Sequence, residues 1–322
     1  MIRYLRRLRE AQLLGMNQRN ADYIMRCNPR SNYPLVDDKL ITKRRADAAG
    51  IHVPSLYGVI EIERQIRRLP QMLEGIDDFV VKPAHGSGGN GILVITGSRH
   101  GKYRRGNGLL MDLDEVGHHI SNILSGMHSL GGQPDQAMIE QRVIFDPLFD
   151  RVSYQGVPDI RTIVYHGVPV MAMVRLPTRM SDGKANLHQG AVGVGLDMGT
   201  GRTTTAVWKN TLIDTHPDTG EPITGLGIPD WYRLVELASR CHELADLGYL
   251  GVDLVLDREH GPLVLELNAR PGLSIQLANR ESLLKRLRRV DALETLPDNP
   301  AERAALGRAL FASANPPRLQ TA

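Results

Sequence analysis

Two short apolar runs, one from Gly251 to Leu256 and one from Leu263 to Leu267, flank Asp257-Arg258-Glu259-His260-Gly261-Pro262. A polar connection containing glycine and proline between such runs reads as a β-hairpin. Antiparallel pairing around it sets Leu256 against Leu263 and Asp253 against Glu266, and alternation puts Asn268 on the face of Glu266. Leu263, Leu265 and Leu267 then fill the other face. Two carboxylates directly opposite one another repel. A divalent cation between them removes that repulsion, and Asn268 adds a neutral oxygen. So small an oxygen-only set suits Mg²⁺ arriving with the phosphates of a nucleotide. The competing reading is an exposed hairpin whose acids pair with Lys or Arg.

A chain of 322 residues can bury a full core and hold more than one lobe. The net charge of +3 gives no basis for general polyanion binding, so no nucleic-acid partner is expected. Cys27 and Cys241 are the only cysteines. They form neither a metal-ligand spacing nor a disulfide framework, which fits a reducing cytoplasm. No apolar run approaches the roughly 20 residues of a membrane span. The start, Met1 to Arg9, is basic and amphipathic, with Ile2, Leu5 and Leu8 at helical spacing. It reads as a short helix laid on the body with its arginines in water, or as a surface for an acidic partner or anionic lipid.

Further along, Cys27–Pro34 is turn-rich and biased by its prolines towards extended structure. Leu40–Ala49 reads as a helix stopped by Gly50. A second helix is expected over Glu61–Leu73, with Ile62, Ile66 and Leu69 on one face. Phe79–Pro83 and Ile92–Ile95 read as strands around Ala84-His85-Gly86-Ser87-Gly88-Gly89-Asn90-Gly91. The letters match the dinucleotide fingerprint, but that fingerprint works only where a helix follows to bind the pyrophosphate. A strand–loop–strand arrangement is expected instead, a glycine hairpin folding its N–H groups over phosphates beside Lys82. A ligand-free surface hairpin is the alternative. Asp112–Leu130 reads as a helix whose His118, His119 and His128 have no companion cluster for a metal. Ala137–Ile144 reads as a strand whose backbone lines an adenine pocket. Asp159–Tyr165 and Val168–Val174 form a pair, with Asp159 and Arg161 on one face and Arg175 just beyond. Asn210–Asp230 reads as a long functional or mobile loop. Trp231–Leu247 is helical with Cys241 on its buried face, Leu283–Leu287 marks a last helix, and the chain beyond Ser313 reads as a disordered tail.

Taken together these stretches resemble the ATP-grasp superfamily, and within it the α-L-glutamate ligases related to RimK. The resemblance rests on Asp38-Lys39, Val81-Lys82-Pro83 with the glycine loop, Glu140-Gln141-Arg142-Val143, and Asp159-Ile160-Arg161. It continues through Asn186-Leu187-His188-Gln189-Gly190, Gly251-Val252-Asp253, and Glu266-x-Asn268-x-x-Pro271-Gly272. It implies an α+β ATP-grasp fold, two α+β lobes with the nucleotide between them. A short N-terminal segment, 1–38, would stand in place of a full preceding domain. A first lobe would span 39–143, a second lobe with the metal hairpin 144–295, and a tail 296–322. It further implies that Lys39, Lys82 and the loop residues Gly86, Ser87, Gly88 and Gly89 meet the phosphates. Glu140, Gln141, Arg142 and Val143 would hold adenine, and Asp159 would contact the nucleotide. Lys184 and Asn186 would line the nucleotide or acyl-phosphate side. Asp253, Glu266 and Asn268 would carry two Mg²⁺ ions, or Mn²⁺.

The chemistry implied is ATP-dependent ligation of a carboxylate to an amine through an acyl phosphate, in a step where the protein mostly positions and neutralises charge. The acceptor would be an amino acid such as glutamate, a peptide or a small molecule. Arg161, Arg175 and Arg270 are candidates to clamp the acyl phosphate or a substrate carboxylate, where a planar bidentate donor fits. Ordinary salt bridges are the alternative for each. With only 38 residues ahead of Lys39, a partner protein or a second copy of the chain is expected to complete the substrate site. A phosphotransferase on the same fold and a non-catalytic nucleotide-binding subunit are the alternative functions.

Overall fold

The computed structural model describes residues 12–86, 88–129 and 132–314. The basic stretch Met1–Arg9, Ser87 and the end of the expected tail lie outside the described residues. The chain divides into two compact units: one of Asp38–Arg44 and Val53–Ile144, the other of the described residues up to Asp37, Arg45–His52 and those from Phe145 on.

The first of these is an antiparallel six-stranded sheet. Its strands are β1 (Leu56–Ile60), β2 (Phe79–Pro83), β3 (Leu93–Arg99), β4 (Lys102–Arg105), β5 (Leu110–Met111) and β6 (Ala137–Glu140), in the spatial order β1-β6-β2-β3-β4-β5. Alternation sends Phe79, Val81, Leu93, Ile95 and Ile139 to one face, where Val116, Ile120 and Ile123 of the Leu113–Leu124 helix cover them. That helix starts where Asp112 accepts a hydrogen bond from the Glu115 N–H (2.9 Å) and Glu115 accepts one from the Asp112 N–H (2.7 Å), a reciprocal cap. Its core side chains are fully buried, so cutting Ile120 to Ala removes about 2–5 kcal/mol. The opposite face carries Met138 with Leu40 and Ala84. The helix expected over Glu61–Leu73 is instead a 3₁₀ stretch, Glu63–Arg68, followed by a short α-turn, Leu69–Met72. Pro70 sits at the start of that turn, where a missing N–H is harmless, and Ile62 is left exposed.

The other unit is a seven-stranded antiparallel sheet: β7 (Asp159–Tyr165), β8 (Val168–Leu176), β9 (Val192–Leu196), β10 (Thr203–Trp208), β11 (Thr211–Ile213), β12 (Tyr249–Asp257) and β13 (Gly261–Asn268). Their spatial order is β11-β10-β9-β8-β7-β12-β13. The Trp231–Ala245 helix packs on it through Leu234, Ala238 and Cys241, all fully buried. The segment Asn210–Asp230, expected as a loop, contains β11 and the bridges Thr215–Pro222 and Arg202–Gly227. Residues 296–322, expected as a tail, hold the Pro300–Phe311 helix. It is capped by Asn299, which accepts from the Ala301 N–H (2.7 Å), and it packs on β8 with Gly307 against the Pro169 carbonyl.

The N-terminal residues are also more helical than their prolines suggest. Met16–Cys27 is one helical stretch with a π-helical centre at Arg19–Ile24, and Pro34–Asp37 forms a turn of helix. Tyr23 packs edge-on against Tyr165, with ring centroids 5.5 Å apart. Buried Asn28 donates to the carbonyls of Tyr249 (2.7 Å) and Ala269 (3.1 Å) and accepts from the Tyr249 N–H (2.8 Å). One side chain thus ties the start of β12 to the turn after β13.

Candidate active site

In the β12–β13 hairpin Asp253 faces Glu266 and Gly251 faces Asn268, as alternation requires. Nearer the turn the register slips by one, so Leu256 pairs with Pro262 instead of Leu263. The cause is local. Asp257 accepts hydrogen bonds from the N–H groups of Glu259 and His260, each 3.0 Å, and closes a tight connection. The extra residue is absorbed as a bulge at Leu265, which is half-buried while Leu263 and Leu267 are buried. Gly251 is required where it stands: a Cβ there would lie 2.6 Å from Pro271, whose turn folds back over the strand.

The expected repulsion between the two acids is not the dominant force at Asp253. β7 lies beside β12 with Arg161 opposite Asp253, and β8 lies beside β7 with Arg175 opposite Asp159. Arg161 grips Asp253 through Nε and, at 2.5 Å, through Nη2. Arg175 donates to both oxygens of Asp159 (2.5 and 2.6 Å) and to Asp253 Oδ2 (2.8 Å). Asn268 Nδ2 reaches the same Oδ2 at 3.4 Å. Burial works to raise the Asp253 carboxyl, but the Arg161 and Arg175 guanidiniums outweigh it and hold it below the usual carboxylate range. Asp159 has the weaker share. Burial pushes its carboxyl up to about 6, against the pull of Arg175, and the Asp253 charge adds to the rise. Neither Arg161 nor Arg175 therefore presents an unengaged guanidinium to a substrate.

Glu266 differs. It is half-buried, on the face of Asp253, and makes no hydrogen bond or ion pair among the described residues. The donors fit a small hard cation: the Glu266 carboxylate, the Asn268 amide oxygen, and what remains of Asp253. Asp253 Oδ1 takes one guanidinium bond and so keeps a lone pair, since a carboxylate offers about four acceptor positions. No cluster of three or more His, Cys, Asp or Glu able to hold a metal occurs among the described residues.

In the six-stranded unit, β2 and β6 place Lys82 and Glu140 on the face away from the Leu113–Leu124 helix. Glu140 is buried between two ammoniums, Lys82 at 2.5 Å and Lys43 at 2.6 Å. Burial alone would raise its carboxyl; Lys82 and Lys43 together outweigh that and lower it. So the Glu140 side chain holds lysines, and it does not present a free carboxylate to a nucleotide. Lys43, which also donates to the Pro54 carbonyl, looks from sequence like solvent-facing helix charge. β6 ends at Glu140, so Gln141, Arg142 and Val143 are irregular chain. Gln141 bonds the backbone of Ser55, and Arg142 pairs with Asp78 (2.6 Å).

Lys39 donates to the Gly86 carbonyl. Gly88, Gly89 and Gly91 all have positive φ, which a hairpin this tight requires. Asp38 caps its own helix by accepting from the N–H groups of Leu40 (2.8 Å) and Ile41 (3.1 Å). In the seven-stranded unit, Asn186 caps the turn Leu187–Gln189, accepting from the His188 N–H (3.0 Å). The Lys184 N–H bonds the Ser181 carbonyl (3.0 Å). Arg270 is exposed, 3.4 Å from Asp37 and over the ring of Tyr33. A groove of about 520 Å³ lined by Leu93, Arg105, His118 and His119 among others contains none of these residues.

The sequence matches the family described as sugar-transfer associated ATP-grasp over residues 18–292. The chain belongs to that family, and its α+β sheets are an ATP-grasp fold. No curated protein matches it. Among solved structures, it is similar to the ATP-grasp ligase PsnB complexed with a minimal precursor, at 14% identity and a TM-score of 0.43. That alignment covers 87% of this chain and 62% of PsnB, so the chain spans under two-thirds of PsnB's length. The D-cycloserine synthetase DcsG aligns at 17% identity and TM-score 0.43, covering 88% of this chain and 73% of that one. A RimK domain ATP-grasp protein from Sphaerobacter thermophilus aligns at 16% and 0.43, covering 89% and 71%. No described helix is long and apolar enough to cross a membrane.

Proposed function

We propose that this chain is an ATP- and Mg²⁺-dependent, ADP-forming ligase that joins a carboxylate to an amine. The observation that carries the reading is Glu266, an unpartnered half-buried carboxylate directly across from Asp253 with Asn268 two residues along. A half-buried carboxylate with no partner among the described residues is open to a hard cation that brings the rest of its shell from water and phosphate. Glu266, Asn268 and Asp253 would hold Mg²⁺, which, bound with the nucleotide, neutralises phosphate charge.

The chain's own residues do the rest. Arg161 and Arg175 fix Asp253 and keep it ionised. Lys82, with Lys39 and the glycine hairpin, meets the phosphates, and the backbone of Glu140–Val143 meets adenine. Lys184 and Asn186 line the acyl-phosphate side. Arg270, the only one of the three candidate arginines not committed to a buried carboxylate, is the best placed to receive a substrate carboxylate. The acceptor carboxylate belongs to an amino acid or peptide, and the second substrate is an amine.

ADP and phosphate release, measured with Mg²⁺ across amino acids and short peptides, tests the proposal. Phosphate released only when carboxylate and amine are both present supports ligation. A stable phosphorylated product assigns a phosphotransferase, and nucleotide binding without turnover on any of these assigns a binding subunit.

A further inference from the structure

The glycine hairpin is tied down at both arms by one piece of chain, the Leu113–Leu124 helix with the turn that follows it. On the near arm Gly86 makes an antiparallel backbone bridge with Ser129. His85 beside it gives its N–H to both oxygens of buried Asp135 (3.1 Å each), with Nδ1 2.8 Å from Oδ1. On the far arm the Gly91 carbonyl accepts from His119 Nε2 at 2.9 Å, which fixes the tautomer that carries its proton on Nε2. Gly91 has φ +76°, and a Cβ there would lie 2.6 to 2.9 Å from three atoms of His128. The two imidazoles lie with centroids 5.9 Å apart and planes at 32°. Between the arms stand Gly88, Gly89 and Asn90.

We propose that His119 and His128 are a positioning pair that docks the far arm of the glycine hairpin and so preorganises Gly88, Gly89 and Asn90 to meet nucleotide phosphates. This rests on the nucleotide reading of the hairpin given above. A glycine-rich tip loses much conformational freedom on binding a ligand, and a loop whose arms are already held loses less of it, which is affinity gained by preorganisation. His119 gives the far arm its hydrogen bond, and His128 is the floor under Gly91 that admits no side chain. Burial lowers the His119 pKa and outweighs the raising effect of its bond to Gly91, with smaller lowering contributions from His128, Arg105 and His118, so at neutral pH it acts as a neutral donor.

The test uses the full chain with His119→Ala, His119→Gln, Gly91→Ala and the double variant Gly91→Ala/His128→Ala. Hydrogen exchange of the segment 86–93 without nucleotide is read first, then KM for ATP and kcat. His119→Ala should exchange faster there and raise KM about 2- to 10-fold, the worth of one hydrogen bond, with kcat within about twofold. His119→Gln keeps an N–H donor and should restore both readings. Gly91→Ala should be worse than His119→Ala, and removing the His128 ring in the double variant should recover part of that loss. Unchanged exchange in His119→Ala, or a Gln variant no better than Ala, overturns the inference. If the wild type binds no nucleotide the functional reading fails instead, while the exchange results still decide whether the pair docks the arm.

Discussion

The two acids of one cross-strand pair should respond oppositely to removal. Asp253→Ala takes the partner from Arg161 and part of the partner from Arg175, whose side chains are only 11% and 12% exposed. Breaking a buried ion pair from one side costs about 3–5 kcal/mol, or roughly 6–20 °C in Tm for a unit of this size. Glu266→Ala removes a group that no described residue binds, so metal-free stability should stay within about 0.5 kcal/mol. Relief of repulsion is not expected to add to it, because Asp253 is already neutralised. Urea denaturation in EDTA measures both. With Mg²⁺ and ATP at about 100 times Kd, wild type should gain about 2.7 kcal/mol, and Glu266→Ala should gain far less and release no ADP. Equal losses for the two variants in EDTA would show that the guanidinium network does not hold Asp253. Normal Mg²⁺-dependent ADP release by Glu266→Ala would remove the hairpin from the active site.

Lys82→Ala should weaken ATP binding about 10- to 100-fold, the worth of a hydrogen bond to a charged group, as read by calorimetric titration; Glu140 keeps Lys43, so the fold survives. Glu140 should make stability pH-dependent with a definite sign. Its folded pKa is lowered from the ordinary 4.5, so its pairing stabilises fully above about pH 4.5 and fades as pH falls through the lower folded value. The stability gap between wild type and Glu140→Gln should therefore be constant from pH 7 to 5 and shrink towards pH 3. Arg270→Ala should leave stability within about 0.5 kcal/mol, its ion-pair partner Asp37 being exposed. It should raise KM for the carboxylate substrate without changing KM for ATP; equal effects on both would place it elsewhere.

The parts legible in the sequence were those set by local alternation. Asp253 across from Glu266 needs only a hairpin and period two. The failure of the glycine fingerprint needs only the strand that follows it, and β3 is that strand. The missed features depend on non-local pairing or on a single side chain. Arg161 and Asp253 are 92 residues apart, and they meet only because β7 lies beside β12, an order no periodicity reports. Lys43 is buried by a strand 97 residues away, and on a helix half of whose residues are charged it looks like surface. The bulge at Leu265 follows from Asp257 bonding two N–H groups. The Pro300–Phe311 helix did carry a local signal, Asn299 before Pro300, a cap followed by proline in the first turn.

The two charged clusters, each taken within its own unit, differ in how their charges pair. In one, buried Glu140 pairs with both Lys43 and Lys82. In the other, Asp159 and Asp253 match Arg161 and Arg175, and Glu266 across from them stands as the excess negative charge. Charges are retained in a protein interior where they are paired, and the proposed metal site turns on Glu266, whose side chain has no such partner among the described residues. Asp253 stays a carboxylate because two guanidiniums offset the cost of its burial. The guanidiniums that occupy Asp253 thus hold it ionised, and under the proposed function a divalent cation would neutralise the charge of Glu266 across from it.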